Sequence, residues 1–383
     1  MNTEIKNVLK IFCCSILIKI IYFAFATIFF GNSIQLSVDG YKNLIKQNDS
    51  WWYEKITTDG YPIVTDKIEL GYHNGADYSQ SSWAFFPAYP VMIKVMMKLF
   101  NTDFNSSAMI LSLIFSFLSL LGFYYLIRIY IGDEKEAFFI SLVFLLFPFH
   151  YYYSMMYTEA IFFTCLIFSF LAIHYQKKWA LLFLLSGLVL IRPNGIIMLI
   201  PIYLFYLERE KIIAGKRFDW KLLFSSKNIF QSLVFLIAPL VFIAYCFYQK
   251  QLTGYFFAFS LAQAGWGKEF MFPALAFFRS GDLQSQFNSI YVLIVMAYAV
   301  FICRKISLSW NVLIWLSLLF PLCSGSVISM HRYISVIFPL TFILGQQIYS
   351  IKFKNIRYAS LFVLLALQLF VFCFWIKGHS FSW

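Results

Sequence analysis

The sequence predicts an all-α, polytopic membrane protein, and three observations carry that prediction. Hydrophobic residues make up 61% of the chain and charged residues only 13%, whereas soluble domains run near half apolar and a quarter charged. The apolar residues fall into runs separated by short polar connections, and about 20 such residues let a helix cross the hydrocarbon. Basic residues gather in alternate connections, which is the positive-inside pattern. A mean hydropathy of +0.73 cannot be hidden inside a water-soluble globule. The aromatic content of 21% suits lipid contact and interfacial belts.

The net charge of +12 does not point to nucleic acid, because the lysines and arginines are scattered between apolar runs. The seven cysteines lie almost all within those runs and form no C-x-x-C pair, so they read as free thiols.

Taken in order, residues 5–30 form the first crossing, entered behind Lys6 and Lys10. Ala24-Phe25-Ala26 resembles a signal-peptidase site, but Lys19 interrupts the run and an uncleaved anchor is expected. Residues 31–106 then form a first extracytoplasmic loop. Within it, Asp49 is placed to cap a short helix over Ser50–Thr58 and Gly60 to end it. Residues 90–100 read as an interfacial helix with Lys94 and Lys98 on one face. The remaining crossings, within 107–376, span about 107–130, 137–156, 159–176, 179–192, 195–208, 229–250, 287–303, 308–324, 332–350 and 357–376, which makes about eleven spans in all. The run 179–208 is broken by Arg192-Pro193-Asn194-Gly195 and reads either as two short helices or as one kinked helix. Residues 251–286 form a second large extracytoplasmic loop. No internal repeat or soluble domain stands out, and the chain reads as a single membrane unit.

Polar residues mark one rim of this bundle. The stretch Asn48 to Pro90 is too polar to span a bilayer, yet it is dense in aromatics: Trp52, Tyr53, Tyr61, Phe86 and Tyr89 are substrate-binding candidates there. Asp49 is a helix N-cap, a general base, or both. Glu159 follows Tyr157-Thr158 and is a helix-start acid favoured by the dipole, or an acceptor in the same pocket as Asp49. Arg192 sits in an apolar run, where an arginine costs roughly 2.5–3.5 kcal/mol and faces a cavity or an anion. Arg192-Pro193-Asn194 also frees backbone N–H groups at a helix start, which suits phosphate; a structural pairing with Glu159 is the alternative. His331 and Arg332 open another crossing, as phosphate contacts or as interface anchors. Gln263 and Trp266 lie on a glycine-punctuated loop able to close over a sugar. His73, Asp77 and His150 lack metal-site spacing, so neither a metal nor another cofactor is expected.

With these residues in hand, the chain resembles the PIG-V type of mannosyltransferase. This family contains the second mannosyltransferase of GPI-anchor assembly and many bacterial relatives, within the GT-C superfamily. Asp49-Ser50-Trp51-Trp52-Tyr53 with Asp59-Gly60-Tyr61 resembles its W-D-x-x-W-Y…G-Y signature. Ala84-Phe85-Phe86-Pro87-Ala88-Tyr89-Pro90 resembles A-F-F-P-L-Y-P, and Tyr157-Thr158-Glu159-Ala160 resembles Y-T/S-E-S/A. Fainter echoes are Arg192-Pro193-Asn194-Gly195, Phe256 through Trp266, and Arg332-Tyr333 through Phe338-Pro339. Asn48 stands where the family usually has Trp, and Lys268 near where an Arg often follows.

The resemblance implies a GT-C-type helix bundle and an inverting glycosyltransferase. A sugar, mannose by the family's name, would pass from a polyprenyl-phosphate donor to a glycolipid, glycan or protein acceptor on the extracytoplasmic face. It makes Asp49 the catalytic carboxylate, Glu159 a supporting acid, and Arg192 and Arg332 phosphate contacts. The Lys, Ile, Asn and Phe bias suggests a bacterial cell membrane. Two rival classes are a transporter or flippase for a lipid-linked saccharide, which usually shows internal repeats, and a non-catalytic partner subunit.

Overall fold

A computed structural model describes residues 3–31, 34–71, 79–215, 217–279 and 282–378. Its helices in chain order are α1 Thr3–Phe30, α2 Val38–Ile45, α3 Asp49–Asp59, α4 Ala88–Phe100, α5 Phe104–Ile131, α6 Glu134–Leu145, α7 Glu159–His174, α8 Lys178–Ile191 and α9 Gly195–Arg209. They continue as α10 Trp220–Leu223, α11 Ser226–Thr253, α12 Ala258–Ala262, α13 Leu283–Ile302, α14 Leu308–Leu322, α15 Met330–Ser335, α16 Phe338–Tyr349 and α17 Lys354–Ile376. Among the described residues the only sheet is one short antiparallel pair, Ile213–Ala214 with Arg217–Phe218. The all-α prediction therefore holds.

Among the described residues, five helices are long and apolar enough to cross a membrane: Glu4–Phe30, Phe104–Ile131, Ser226–Thr253, Leu283–Lys305 and Lys354–Ile376. Glu159–His174, Lys178–Ile191 and Leu308–Leu322 are shorter apolar helices. These helices fit an integral, multi-pass membrane protein. Two of the expected single spans are interrupted. The run 137–156 stops being α-helical at Leu145 and closes into a 3₁₀ turn over His150–Ser154. Pro148 explains the stop, because it lacks a donor and pushes its predecessor out of the helical region. The run 332–350 is split into α15 and α16, with Pro339 in the first turn of the second helix, where its missing N–H costs nothing.

The described chain forms two compact units: Met1–Trp51, Val95–Ile167 and His331–Trp383 make the first, and Trp52–Lys94 with Phe168–Met330 the second. In the first unit α5 packs on α1 and α6, α6 on α16, and α17 on α1 and α16. Lys19, the charge that breaks the first apolar run, is buried there. Its ammonium donates to Ser15 O and Ser116 Oγ, both at 2.8 Å, which offsets the cost of a cation at that depth. Buried Gln368 of α17 donates to Leu145 O and Phe147 O, satisfying carbonyls that the end of α6 leaves over.

In the second unit α8 packs on α11, α9 on α14, and α13 on α14. The two loops read as extracytoplasmic meet in a small core of Val64, Leu70, Trp83, Ala84, Ala258 and Ala262. Glycine permits their approach: a Cβ on Gly265 would stand 2.6 Å from Ser79 O, and one on Gly71, at φ +94, 2.9 Å from Gly265 N.

The run 179–208 is two helices. Arg192 leaves α8 in an extended conformation (φ −152°, ψ 152°) and α9 starts at Gly195. A Cβ on Gly195 would lie 2.1 Å from Leu188 O, a backbone atom that cannot step aside. Gly195→Ala is therefore expected to cost about 3 kcal/mol, the upper end of ordinary overpacking. Detergent-solubilised protein should show this as a lowered unfolding temperature; an unchanged one would mean that α8 and α9 separate freely.

Candidate active site

Three charged side chains meet in the first unit. Asp49 is the first residue of α3 and Glu159 the first residue of α7, so each carboxylate sits at the positive end of a helix dipole. Arg332, on α15, lies between them. Its Nη1 donates to Asp49 Oδ2 at 2.6 Å and its Nε to Glu159 Oε1 at 2.7 Å, the lengths of charge-assisted bonds. In the first unit the Glu159 carboxylate is bound to Arg332.

The two acids differ in access. Glu159 is fully buried, whereas 23% of the Asp49 side chain is exposed. Asp49 Oδ2 is held by Arg332, and Oδ1 accepts no hydrogen bond among the described residues. Asp49 thus points its side chain at Arg332 from the first helical position, rather than standing outside α3 as the cap. That outer position belongs to Asn48, at φ +47°.

Aromatic residues hold this arrangement. The Arg332 guanidinium lies 4.4 Å from the Tyr157 ring centroid and 5.7 Å from that of Tyr152, close enough for cation–π attraction. His331, whose place in the site the sequence proposed, bonds the Tyr152 hydroxyl. Trp375 packs edge-on to both tyrosines and donates Nε1 to Leu44 O at 3.1 Å. The turn before Glu159 is pinned from three directions: Met156 N donates to Ile45 O, Ser50 Oγ to Met156 O, and Ser112 Oγ to Met155 O. Burial, with the Asp49 carboxylate beside it, holds the Tyr157 phenol well above its usual pKa, so it stays neutral. Sequence reading missed Tyr152 and Tyr157 as site residues. Their only signal was the density of tyrosine immediately before an acid.

The other candidates belong to the second unit. Trp52 stacks on Phe85 with ring centroids 5.8 Å apart, and Trp266 meets both edge-on. All three are partly exposed, and Gln263 starts the 3₁₀ turn that carries Trp266. Tyr53, Phe86 and Tyr89 are buried: Tyr53 meets Tyr89 edge-on, and Phe86 packs on Tyr245 and Phe259. Tyr61 stacks on Trp83 at 4.4 Å and donates its hydroxyl to Phe85 O. Tyr61, Phe85 and Trp266 pack against the loop core, and Trp52, Phe85 and Trp266 form a partly exposed aromatic surface. Arg192 and Asn194 are buried in the turn between α8 and α9.

His73 and Asp77 lie outside the described residues. Buried His150 stacks on Tyr153 with centroids 4.2 Å apart. Among the described residues no cluster of three or more His, Cys, Asp or Glu has metal-binding geometry.

No model of a known protein family matches the chain, and no curated protein matches it significantly.

Proposed function

We propose that the chain is a membrane glycosyltransferase that moves a sugar from a polyprenyl-phosphate donor to an acceptor hydroxyl on the extracytoplasmic face, with inversion. The observation that carries the reading is Asp49: one carboxylate oxygen is fixed by a buried arginine and the other is accessible. A general base needs that combination of fixed orientation and one open lone pair.

The reaction asks for one base because its leaving group is already an anion. The acceptor hydroxyl gives its proton to Asp49 Oδ1 while its oxygen bonds to the anomeric carbon. The bond from that carbon to the phosphate oxygen breaks, and the electron pair leaves with the phosphate. A second carboxylate, as a glycosidase requires, has no proton to deliver here. Glu159 instead holds Arg332, and Arg332 holds Asp49. Arg332 Nη2 makes no hydrogen bond among the described residues and is the donor left for a substrate oxygen. Mannose as the sugar, and membership of the PIG-V-type family, rest on the motif resemblance.

Purified protein given polyprenyl-phosphate mannose and polyprenyl-phosphate glucose, with a glycolipid acceptor, tests the proposal. Release of polyprenyl phosphate together with a newly glycosylated acceptor is the expected result. Protein that moves a lipid-linked saccharide across a liposome bilayer without cleaving either donor would instead be a transporter.

A further inference from the structure

The second unit contains a half-open groove of about 480 Å³, within the size range of clefts that bind small molecules. Its wall includes Ile56 of α3, Pro87, Leu190 of α8, and Val241 and Ala244 of α11. One wall thus belongs to α11, a helix long and apolar enough to cross a bilayer. Lys94 of α4 is the only charged residue lining it. It is exposed and forms no ion pair among the described residues. On the same helix Val91 and Val95 are also exposed, which fits an element lying at the lipid interface.

We propose that this groove binds an anionic phospholipid of the surrounding bilayer, with one acyl chain in the groove and the phosphate on Lys94. Apart from Lys94 and the hydroxyls of Tyr61, Tyr245 and Tyr248 the wall is apolar, so it offers little to replace the water around an occupant charged or hydrated along its length. A hydrocarbon chain loses nothing by entering. The single cation at the rim selects among lipids: a net negative headgroup completes a charge pair, whereas a zwitterionic one brings its own ammonium. Bilayer phospholipid is also present around the groove at far higher local concentration than a lipid-linked sugar, so mass action favours it. A bound chain would touch α3, α8 and α11 together, and anionic lipid would then stabilise this unit.

The test follows thermal unfolding of the full chain in detergent with added phosphatidylglycerol, phosphatidylcholine or polyprenyl phosphate at equal concentration. Phosphatidylglycerol is expected to raise the unfolding temperature about 3 °C more than phosphatidylcholine does. Lys94→Gln, an exposed change that leaves the groove intact, should erase that difference. Ala244→Trp, which fills the groove, should erase the response to both phospholipids. Equal shifts in the unaltered protein, or a difference that survives Lys94→Gln, would overturn the proposal. So would a larger shift with polyprenyl phosphate than with phosphatidylglycerol, which would give the groove to a prenyl chain.

Discussion

Asp49→Asn is expected to reduce sugar transfer by about 10²- to 10⁴-fold, the usual worth of a positioned general base, while leaving the protein folded. The substitution keeps the size and shape of the side chain. Its amide oxygen can still accept from Arg332 Nη1, which now holds Asp49 Oδ2 at 2.6 Å. What disappears is the lone pair basic enough to take a hydroxyl proton. The cost in stability should be small, about 1 kcal/mol, because Arg332 keeps Glu159 as counter-ion and Asp49 is partly solvated. The measurement pairs product formation from a defined polyprenyl-phosphate sugar with the unfolding temperature of the same preparation. Full activity in the asparagine variant removes Asp49 as the base. Lost activity with a collapsed unfolding temperature assigns Asp49 a structural task instead.

The charged residues were legible individually because each interrupts an apolar pattern. Asp49, Glu159 and Arg332 stood out as polar groups where a membrane helix starts, and the structure sets all three side by side. Their pairing was not legible. Arg332 lies 283 residues from Asp49 and 173 from Glu159 along the chain, and periodicity carries no information over such distances. Consequently Arg332 read as a phosphate contact, whereas its two shortest bonds go to carboxylates.

Helix boundaries show the same division. Hydropathy located α1, α5, α11, α13 and α17 to within a few residues, since long spans are dictated by hydrocarbon thickness. It ran through Pro148 and Pro339, because window hydropathy counts proline as one more residue and does not register its missing donor. Among the aromatics, composition marked Tyr53, Phe86 and Tyr89 together with Trp52 and Trp266. Only packing separates the buried residues of that group from those that face solvent.

Removing Arg332 should have the largest effect on stability. Arg332→Met leaves Glu159 fully buried without its Arg332 ion pair, beside a second carboxylate on Asp49. Breaking a buried pair from one side costs about 3–5 kcal/mol, because the remaining charge has been stripped of water and has lost a charged partner. The methionine itself fits an aromatic surrounding of Tyr152 and Tyr157, so the loss would come from charge rather than from a cavity. A double variant separates these causes. Glu159→Gln in the Arg332→Met background removes the stranded carboxylate and should recover more than half of the lost stability. Adding the same substitution to the unaltered protein should itself be destabilising. That reversal of sign is the signature of direct coupling between neighbouring residues. If Glu159→Gln instead lowers the unfolding temperature equally in both backgrounds, the two side chains act independently, and the chain Glu159–Arg332–Asp49 does not hold the base in place.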